Sequence, residues 1–515
     1  MPIIISRAYR QIIVPDGERA RALLPNAKPI SVNDSAALLV PHDIQSTLLV
    51  RHLGYTCPNP MLWHYDWGID KPFSIQEKTC DLLTSNPRAY VLNHMGTGKS
   101  KSALWAWDYL NKAGLAQKLL VVAPLSTLNF VWAREVFRTL PNRKCAVLHG
   151  TRQRRLERLA EDVDIYIINH DGLKVIGDEL LARTDITTLV LDELAVYRNN
   201  SSRSKYMRKF ATRFNIVWGM TGAPMPNAPT DVWSQCQIVT PHSVPKYFKQ
   251  AQEILMKKLD LYKYVAKPDA VDTAFRWMQP AVRYALDDVV ELPPVVFRNI
   301  DCDLSPQQKT TYDKIVNEFA VMVANKQITA LNAGAAMSKL LQIAAGWVYT
   351  KAPEHVALNC EPRTDALLDL IESAERKVLV FVPFRHAVEG LSQLLTKNKI
   401  EHCVVHGQVG DRDSIFYAFQ KTDKYKVLLA HPECLAHGLT LTEADTIIWY
   451  SPIASLDIYD QANARITRVG QLHKQQVLHL QGTPVEKKIY SLLRSKQKIQ
   501  TQLLTLFEDA TAGRL

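Results

Sequence analysis

Residues 93–100, Asn93-His94-Met95-Gly96-Thr97-Gly98-Lys99-Ser100, decide the fold of the first half of the chain. An apolar run, Ala89-Tyr90-Val91-Leu92, comes before them, and a helix-forming run, Ser102-Ala103-Leu104-Trp105-Ala106, comes after. Glycines between a strand and a helix let backbone N–H groups turn inward around a phosphate. Lys99 can then reach the β- and γ-phosphates, and the Ser100 hydroxyl can bind Mg²⁺. The sequence therefore predicts a loop that binds a nucleoside triphosphate through Met95, Gly96, Thr97, Gly98, Lys99 and Ser100, although the full pattern has Gly where this chain has Asn93.

A pair of adjacent carboxylates ends a second apolar run, Leu189-Val190-Leu191-Asp192-Glu193. Carboxyl ends of parallel strands meet at the edge of the sheet where ligands bind. Asp192 is therefore predicted to hold Mg²⁺, and Glu193 to activate the water that attacks the γ-phosphate. An apolar strand that ends in Asp-Glu is common in itself, but downstream of a phosphate loop it indicates nucleotide hydrolysis.

Short apolar runs alternate with helical stretches twice along the chain, which predicts α/β folding with two parallel-sheet lobes. The runs of the first lobe are Leu119–Pro124, Cys145–Gly150, Asp164–Asn169, Thr188–Glu193 and Ile216–Gly222; those of the second are Lys377–Pro383, His402–Gly407, Lys426–Pro432, Thr446–Pro452 and Gln475–Gly482. The predicted domains are an N-terminal accessory domain (1–70), a first lobe that binds ATP (71–240), helical insertions with a linker (241–362), a second lobe (363–490) and a C-terminal helix or tail (491–515).

Composition narrows the class of protein further. The 515 residues are 47% hydrophobic and 22% charged, which excludes a disordered or fibrous chain. The sequence has no apolar stretch long enough to cross a membrane and no pattern of a signal peptide at Met1–Arg7, so a cytoplasmic protein without a membrane partner is expected. The net charge of +11 favours a polyanionic partner such as nucleic acid. Arginine-rich runs at 152–158 and 198–213 are either solvated helix faces or phosphate contacts.

Residues 461–471, Gln461-Ala462-Asn463-Ala464-Arg465-Ile466-Thr467-Arg468-Val469-Gly470-Gln471, contain two arginines at helical spacing. On a helix, Arg465 and Arg468 share a face. Motor ATPases bring such positive charge to the γ-phosphate in the transition state, often from a neighbouring lobe. An ordinary amphipathic helix with two surface arginines is the alternative.

With these motifs in order, the chain resembles superfamily-two helicases of the Swi/Snf-type DNA translocase branch, and within it bacteriophage-encoded members. The motifs that carry the resemblance are Phe73-Ser74-Ile75-Gln76, Met95–Ser100, Val122-Ala123-Pro124-Leu125-Ser126, Asn169-His170, Asp192-Glu193, Met220-Thr221-Gly222-Ala223-Pro224, Leu292-Pro293-Pro294 with Gln308 and Tyr312, Val380-Phe381, His406-Gly407, Gly438–Thr442 and Gln461–Gln471. The Arg-Val-Gly-Gln ending of the last motif is the most specific mark of the branch.

The resemblance implies two RecA-like lobes, ATP and Mg²⁺ as cofactors, and a role for each motif. Gln76 would read adenine, Thr221 would couple the two ligand sites, and Gln461, Arg465 and Arg468 would act in hydrolysis together with Lys99, Asp192 and Glu193. Contacts to the DNA backbone would come from Pro124, Ser126, Asn169, His170, His406, Gly407, Gly438 and Thr440. Where the family has His or Asp two residues after Glu193, this chain has Ala195, so a side chain that often couples the ATP site to the nucleic-acid groove is missing.

The function implied is an ATP-dependent DNA translocase or helicase that acts on duplex or branched DNA without reading sequence, and that could remodel forks. Other replication or recombination proteins are further candidate partners, and the host cytoplasm is the expected location if a phage encodes the chain. Two alternatives stay open at this stage. One is an RNA helicase, and the other is a loading or interaction protein that uses ATP only as a switch.

Overall fold

The computed structural model describes residues 2–68, 70–259, 264–284, 293–324, 330–349, 355–435, 441–467 and 471–495. The chain divides into two compact units, Met1–Val289 and Val290–Leu515. The domain limits expected from the sequence stay predictions, and most of the predicted C-terminal segment, 491–515, lies outside the described residues.

Unit 1 begins with an antiparallel sheet of strand order β1-β2-β4-β3 and continues with a parallel sheet of order β13-β5-β10-β9-β6-β8-β7. Its strands are β1 (Ile4–Ser6), β2 (Gln11–Pro15), β3 (Lys28–Val32), β4 (Ser35–Pro41), β5 (Arg88–Val91), β6 (Lys118–Ala123), β7 (Cys145–Leu148), β8 (Ile165–Asn169), β9 (Ile186–Asp192), β10 (Ile216–Met220), β11 (Met256–Lys258), β12 (Tyr264–Ala266) and β13 (Ala281–Val282). Its helices are α1 (Glu18–Leu23), α2 (Ile44–His52), α3 (Pro60–His64), α4 (Ser74–Ser85), α5 (Lys99–Lys112), α6 (Arg134–Thr139), α7 (Arg152–Leu159), α8 (Leu173–Ala182), α9 (Ser202–Ala211), α10 (Asp231–Val239), α11 (Phe248–Leu255) and α12 (Ala270–Trp277).

Unit 2 contains a second parallel sheet, of order β14-β21-β20-β17-β19-β18. Its strands are β14 (Val295–Asp301), β15 (Trp347–Tyr349), β16 (His355–Ala357), β17 (Lys377–Phe381), β18 (His402–Val405), β19 (Val427–Ala430), β20 (Ala444–Trp449) and β21 (Gln475–Gln481). Its helices are α13 (Pro306–Ala324), α14 (Ala330–Ala345), α15 (Glu361–Ser373), α16 (Arg385–Lys397), α17 (Arg412–Lys421), α18 (Pro432–Leu435), α19 (Leu456–Asn463) and α20 (Pro484–Arg494).

The prediction of two parallel-sheet α/β lobes is confirmed, and strand β6 shows why its sequence signal was clear. Leu119 and Val121 pack in one apolar cluster of unit 1, whereas Leu120 and Val122 pack in another. Successive side chains of a strand point to opposite faces, so a strand covered by helices on both faces must be apolar at every position. A continuous apolar run is the result.

Strand β14 lies within residues 241–362, for which the sequence predicted only helical insertions and a linker, so it was missed. This strand pairs in parallel with β21 at the edge of the second sheet, from Val295 opposite Gln475 to Asp301 opposite Gln481. Its residues are half-buried or exposed, so the strand lacks the buried apolar run that marks a central one. Because the strand is exposed at the edge of the sheet, it has no continuous apolar run by which the sequence could have indicated it.

The N-terminal residues form a region with its own core, built from Ile12, Val14, Leu24, Val40, Val50 and Cys57. Strand β2 pairs with both β1 and β4 in antiparallel register. Among the described helices of the whole chain, none is both long and apolar enough to cross a membrane.

Candidate nucleotide and nucleic-acid site

Five loops that carry predicted site residues follow neighbouring strands of the parallel sheet of unit 1. In the order of the sheet, β5 leads to the phosphate loop, β10 to Thr221, β9 to Glu193, β6 to Pro124 and β8 to His170. These strands run parallel, so all five loops lie at the same edge of the sheet. The predicted nucleotide residues and the predicted DNA residues of this unit are therefore adjacent groups along one edge.

The phosphate loop has the backbone that its glycines predicted. Gly96 and Gly98 have φ values of +79° and +77°, in the left-handed region that L side chains rarely adopt. Gly98 is also crowded, because a Cβ there would lie 2.1 Å from Nε2 of Gln76. Helix α5 begins at Lys99, so Lys99 and Ser100 occupy its first turn beside the loop. Such a helix start offers free N–H groups and a positive dipole end to a phosphate.

Lys99 lies across this loop. Its Nζ donates to the carbonyl oxygens of Asn93, at 2.8 Å, and His94, at 3.1 Å. Carbonyl oxygens are weaker partners for an ammonium group than phosphate oxygens are. The lysine is therefore placed at the loop where the β- and γ-phosphates are expected.

Asn93, which stands where the full pattern has Gly, has a structural role through its side chain. Its Nδ2 donates to Oγ1 of Thr79 at 3.1 Å, and its Oδ1 accepts the N–H of Tyr284 at 3.0 Å. Tyr284 follows β13, and its carbonyl accepts the N–H of His94. One buried amide thus joins the phosphate loop to α4 and to the segment after β13.

Gln76, the predicted adenine reader, is buried, and its amide is occupied by the protein. Its Oε1 accepts the N–H of Phe73 at the start of α4, and its Nε2 donates to the carbonyl of Thr97 in the phosphate loop. Thr97 in turn donates from Oγ1 to the carbonyl of His94. The glutamine therefore supports the loop directly, and its contact with adenine stays a prediction.

The acidic pair is held by side chains from two other loops. One Asp192 oxygen, Oδ2, accepts the indole N–H of Trp132 at 2.9 Å, and the other, Oδ1, accepts the N–H of Glu193 at 3.0 Å. Burial raises the pKa of the Asp192 carboxyl, while the Trp132 hydrogen bond, the charge of Lys99 and the Glu193 N–H oppose that rise. Trp132 was missed by the sequence analysis, because nothing in the spacing of an indole marks it as a carboxylate partner.

Glu193 adopts a left-handed backbone, with φ +53° and ψ +52°. This conformation costs free energy for a residue with a side chain and persists only where the surrounding structure holds it. Its Oε1 accepts from Oγ1 of Thr221 at 3.5 Å, and Oγ1 of Thr221 accepts the N–H of Ala223. Thr221, the predicted coupling residue, therefore contacts the predicted water-activating carboxylate. Ala195 is buried in the helical turn Leu194–Tyr197 that follows.

These residues fit a Mg²⁺–nucleotide complex. Gly96 and Gly98 supply the left-handed backbone of the loop, Lys99 supplies a cation, and Ser100 with Asp192 supplies the oxygen ligands that Mg²⁺ prefers. Mg²⁺ would neutralise charge on the phosphates. The chain's own groups would bind and orient the nucleotide, and Glu193 would accept the proton of the attacking water.

Predicted DNA contacts differ in exposure. Ser126 is exposed, Pro124 and His406 are half-buried, and Gly407 is exposed. Oδ1 of Asn169 accepts from the buried Arg155, and Nδ1 of His170 hydrogen-bonds to the hydroxyl of Tyr197 at 2.8 Å. Gly438 and Thr440 lie outside the described residues.

Many arginines of the two basic runs are engaged within the protein. Arg155 ties β7 to the last residue of β8 by donating to the carbonyl of Leu148 and to Asn169. Arg152 and Arg158 pair with Glu179 and Glu161, and Arg203 pairs with Asp171. These four arginines already have partners within the protein, so they give less support to the prediction that the two runs contact phosphates.

In unit 2, helix α19 ends at Asn463, so Arg465 lies in a turn after the helix and not on a helix face as the sequence predicted. The chain turns there because the N–H of Arg465 bonds to the carbonyl of Ala462. Arg465 is only 1% exposed, and its Nε donates to the carbonyl of Gln461 at 2.7 Å. Oε1 of Gln461 is buried and has no hydrogen-bond partner among the described residues, and Arg468 lies outside them.

Two family models match this chain in order. The SNF2-related domain matches residues 79–349, and the helicase conserved C-terminal domain matches residues 362–470. The chain belongs to the SNF2-related family. The resemblance recognised in the sequence is thereby confirmed.

Similar proteins come from bacteria, a phage and eukaryotes. The "Uncharacterized ATP-dependent helicase MG018" of Mycoplasma genitalium is 24% identical over 81% of this SNF2-related chain and 40% of its own length. "Putative protein p41" of Acyrthosiphon pisum secondary endosymbiont phage 1 is 24% identical over 77% of this chain and 91% of its own. The "ISWI chromatin-remodeling complex ATPase ISW1" of Saccharomyces cerevisiae is 24% identical over 84% and 40%. The chain thus spans about two fifths of the bacterial and yeast relatives and most of the phage protein.

Among solved structures, the "Sulfolobus solfataricus SWI2/SNF2 ATPase core in complex with dsDNA" matches 86% of this chain and 96% of its own, with 21% identity and a TM-score of 0.40.

Proposed function

We propose that this SNF2-related chain is a DNA-dependent ATPase that couples ATP hydrolysis to movement along duplex or branched DNA. One observation carries the proposal. The phosphate loop with Lys99 and the pair Asp192-Glu193 lie at one sheet edge, and the loop after β6, with exposed Ser126, follows at the same edge. The residues for hydrolysis and a segment that binds the DNA backbone would thereby be held by the same sheet.

Each contact at the nucleotide side has a task in this proposal. Lys99 would exchange the carbonyls of Asn93 and His94 for phosphate oxygens, which are stronger partners. Glu193 would accept the proton of the attacking water, held in place by Thr221. ATP-dependent changes in the grip of the two lobes on the phosphate backbone would give directed movement.

The basic balance of the chain, +11, supports a polyanionic partner. Backbone contacts hold register without reading sequence, so binding should be independent of sequence and should weaken steeply with salt. Remodelling of forks, a phage origin, cytoplasmic location and partners in replication or recombination belong to this proposal and rest on the family resemblance.

The test is steady-state ATPase activity with single-stranded DNA, duplex DNA, a fork, a four-way junction and duplex RNA side by side. Stimulation by DNA above that by RNA, with a steep salt dependence, is the expected result. Stronger stimulation by RNA would assign an RNA helicase. Nucleotide binding without stimulation by any polynucleotide would assign an ATP-switched interaction protein and overturn the proposal.

A further inference from the structure

Trp132 connects two parts of unit 1 that the family motifs leave separate. It lies in a π-helical turn, Leu128–Ala133, which directly continues the short helical turn Leu125–Thr127 after β6. That first turn exposes Leu125 and Ser126 to solvent. The indole of Trp132 is fully buried, and its N–H ends on Asp192.

The segment between these points is held together by short-range contacts. The N–H and Oγ1 of Thr127 both donate to the carbonyl of Pro124, at 3.0 and 2.9 Å. π-Helical turns are rare and occur frequently at functional sites. The exposed residues and the tryptophan therefore belong to one run of two consecutive helical turns, without a loop between them.

The hydrogen bond matters because of which carboxylate it reaches. Asp192 has one oxygen bonded to the Glu193 N–H and the other to Trp132, so these two donors fix the orientation of the carboxyl group. Hydrogen bonds to a metal-binding carboxylate tune its geometry and affinity for the metal. Ala195, in contrast, has no polar side chain with which to link the acidic motif to a neighbouring segment.

We propose that Trp132 is a positioning residue for Asp192, and that it links this carboxylate to the exposed segment 124–127. The first half concerns the Mg²⁺-dependent binding of nucleotide. The second half rests on the proposed function, because it takes segment 124–127 as a contact to DNA. When DNA displaces that segment, the indole moves and reorients Asp192 for hydrolysis.

The chain offers a matched control in Trp107. It is also fully buried in unit 1, and its indole N–H donates at 2.8 Å to the backbone carbonyl of Gln117. Trp132→Phe and Trp107→Phe therefore remove the same atoms and one buried indole N–H donor each, but only the first removes a donor to the Asp192 carboxylate. Should Trp132→Phe fail to fold, Trp132→Met, which also lacks a donor and fills space flexibly, takes its place.

The first measurement is equilibrium binding of a fluorescent non-hydrolysable ATP analogue, in EDTA and in Mg²⁺, without DNA. Trp132→Phe should reduce the Mg²⁺-dependent gain in affinity about 10-fold and leave affinity in EDTA unchanged. Trp107→Phe should change neither. In an Asp192→Asn background, the Trp132→Phe effect should vanish, because the residue acts through that carboxylate. An unchanged Mg²⁺-dependent gain, an equal loss in Trp107→Phe, or full additivity with Asp192→Asn would overturn the positioning role.

The second measurement is the ratio of turnover with and without duplex DNA. Trp132→Phe should lower this ratio about 10-fold relative to Trp107→Phe. An unchanged ratio in a protein that DNA does stimulate would overturn the link to segment 124–127. A wild-type protein that no DNA stimulates would overturn the proposed function and the link with it, whereas the binding measurement without DNA would still decide the positioning role.

Discussion

The two parallel sheets of this chain share the order of six strands, but the predicted site residues at the carboxyl edge in unit 1 differ in backbone and burial from those in and after α19 in unit 2. In unit 1, the edge carries a strained Glu193, left-handed glycines and a lysine held by loop carbonyls. In unit 2, the predicted catalytic residues Gln461 and Arg465 are buried, and Arg465 lies in a turn after α19. The predicted nucleotide residues of unit 1 therefore lie together within that unit, whereas Gln461 and Arg465 of unit 2 are buried, as residues with a structural role would also be.

The largest expected effect tests this difference directly. Arg465→Ala and Arg468→Ala should each lower DNA-stimulated turnover about 10³-fold, the loss expected when an arginine no longer stabilises the transition state. Arg465→Ala should also lower the melting temperature, because its side chain is buried and bonded to Gln461. Turnover, nucleotide affinity and thermal melting are measured on both variants.

Arg385→Ala is the control for these two variants, since that arginine forms an exposed pair with Glu389 in the same unit. If Arg465→Ala melts early but retains normal turnover per folded molecule, the motif of unit 2 is structural at that position, and the contrast with unit 1 becomes sharper.

The next effect concerns the carboxylate of unit 1. Glu193→Gln should lower turnover about 10²-fold or more, because the amide cannot accept a proton from water, while nucleotide affinity stays near that of the wild type. Glu161→Gln, which alters an exposed carboxylate of the same unit, should leave both unchanged. A variant that loses affinity and keeps turnover per bound nucleotide would show that Glu193 is the wrong carboxylate.

Replacement of the loop lysine should have a smaller but clear effect. Lys99→Ala should lower turnover at least about 10-fold, because it removes a charge-assisted contact to the phosphates. Lys112→Ala, at the other end of α5, serves as control, since that lysine pairs with Asp108. Near wild-type turnover in Lys99→Ala would contradict the proposal that the chain is an ATPase.

The smallest expected effect is on stability rather than on catalysis. Asn93→Ala should lower the free energy of unfolding of unit 1 by about 1–3 kcal/mol, because Thr79 and the Tyr284 N–H each lose a buried partner. Urea unfolding monitors the change. Asn86→Ala, which removes one half-buried bond to the carbonyl of Leu82, should cost less. Equal losses in the two variants would show that Asn93 does not anchor the loop.

The sequence by itself determined the features that depend on local pattern. Apolar runs predicted the central strands, since a strand buried on both faces must be apolar throughout. The phosphate loop and the acidic pair were also predicted. Their left-handed glycines, loop lysine and strand-end carboxylates stand next to one another in the sequence, so a local motif is enough to indicate them.

Only the tertiary structure decided which side chains hold those motifs and which face inward. Trp132 reaches Asp192, Arg155 reaches Asn169 and Asn93 reaches Tyr284 across long stretches of chain, and no local spacing encodes such contacts. Edge strand β14 and the turn at Arg465 escaped for a related reason. Exposure at a sheet edge and the exact end of a helix are set by packing, so period and composition alone do not specify them.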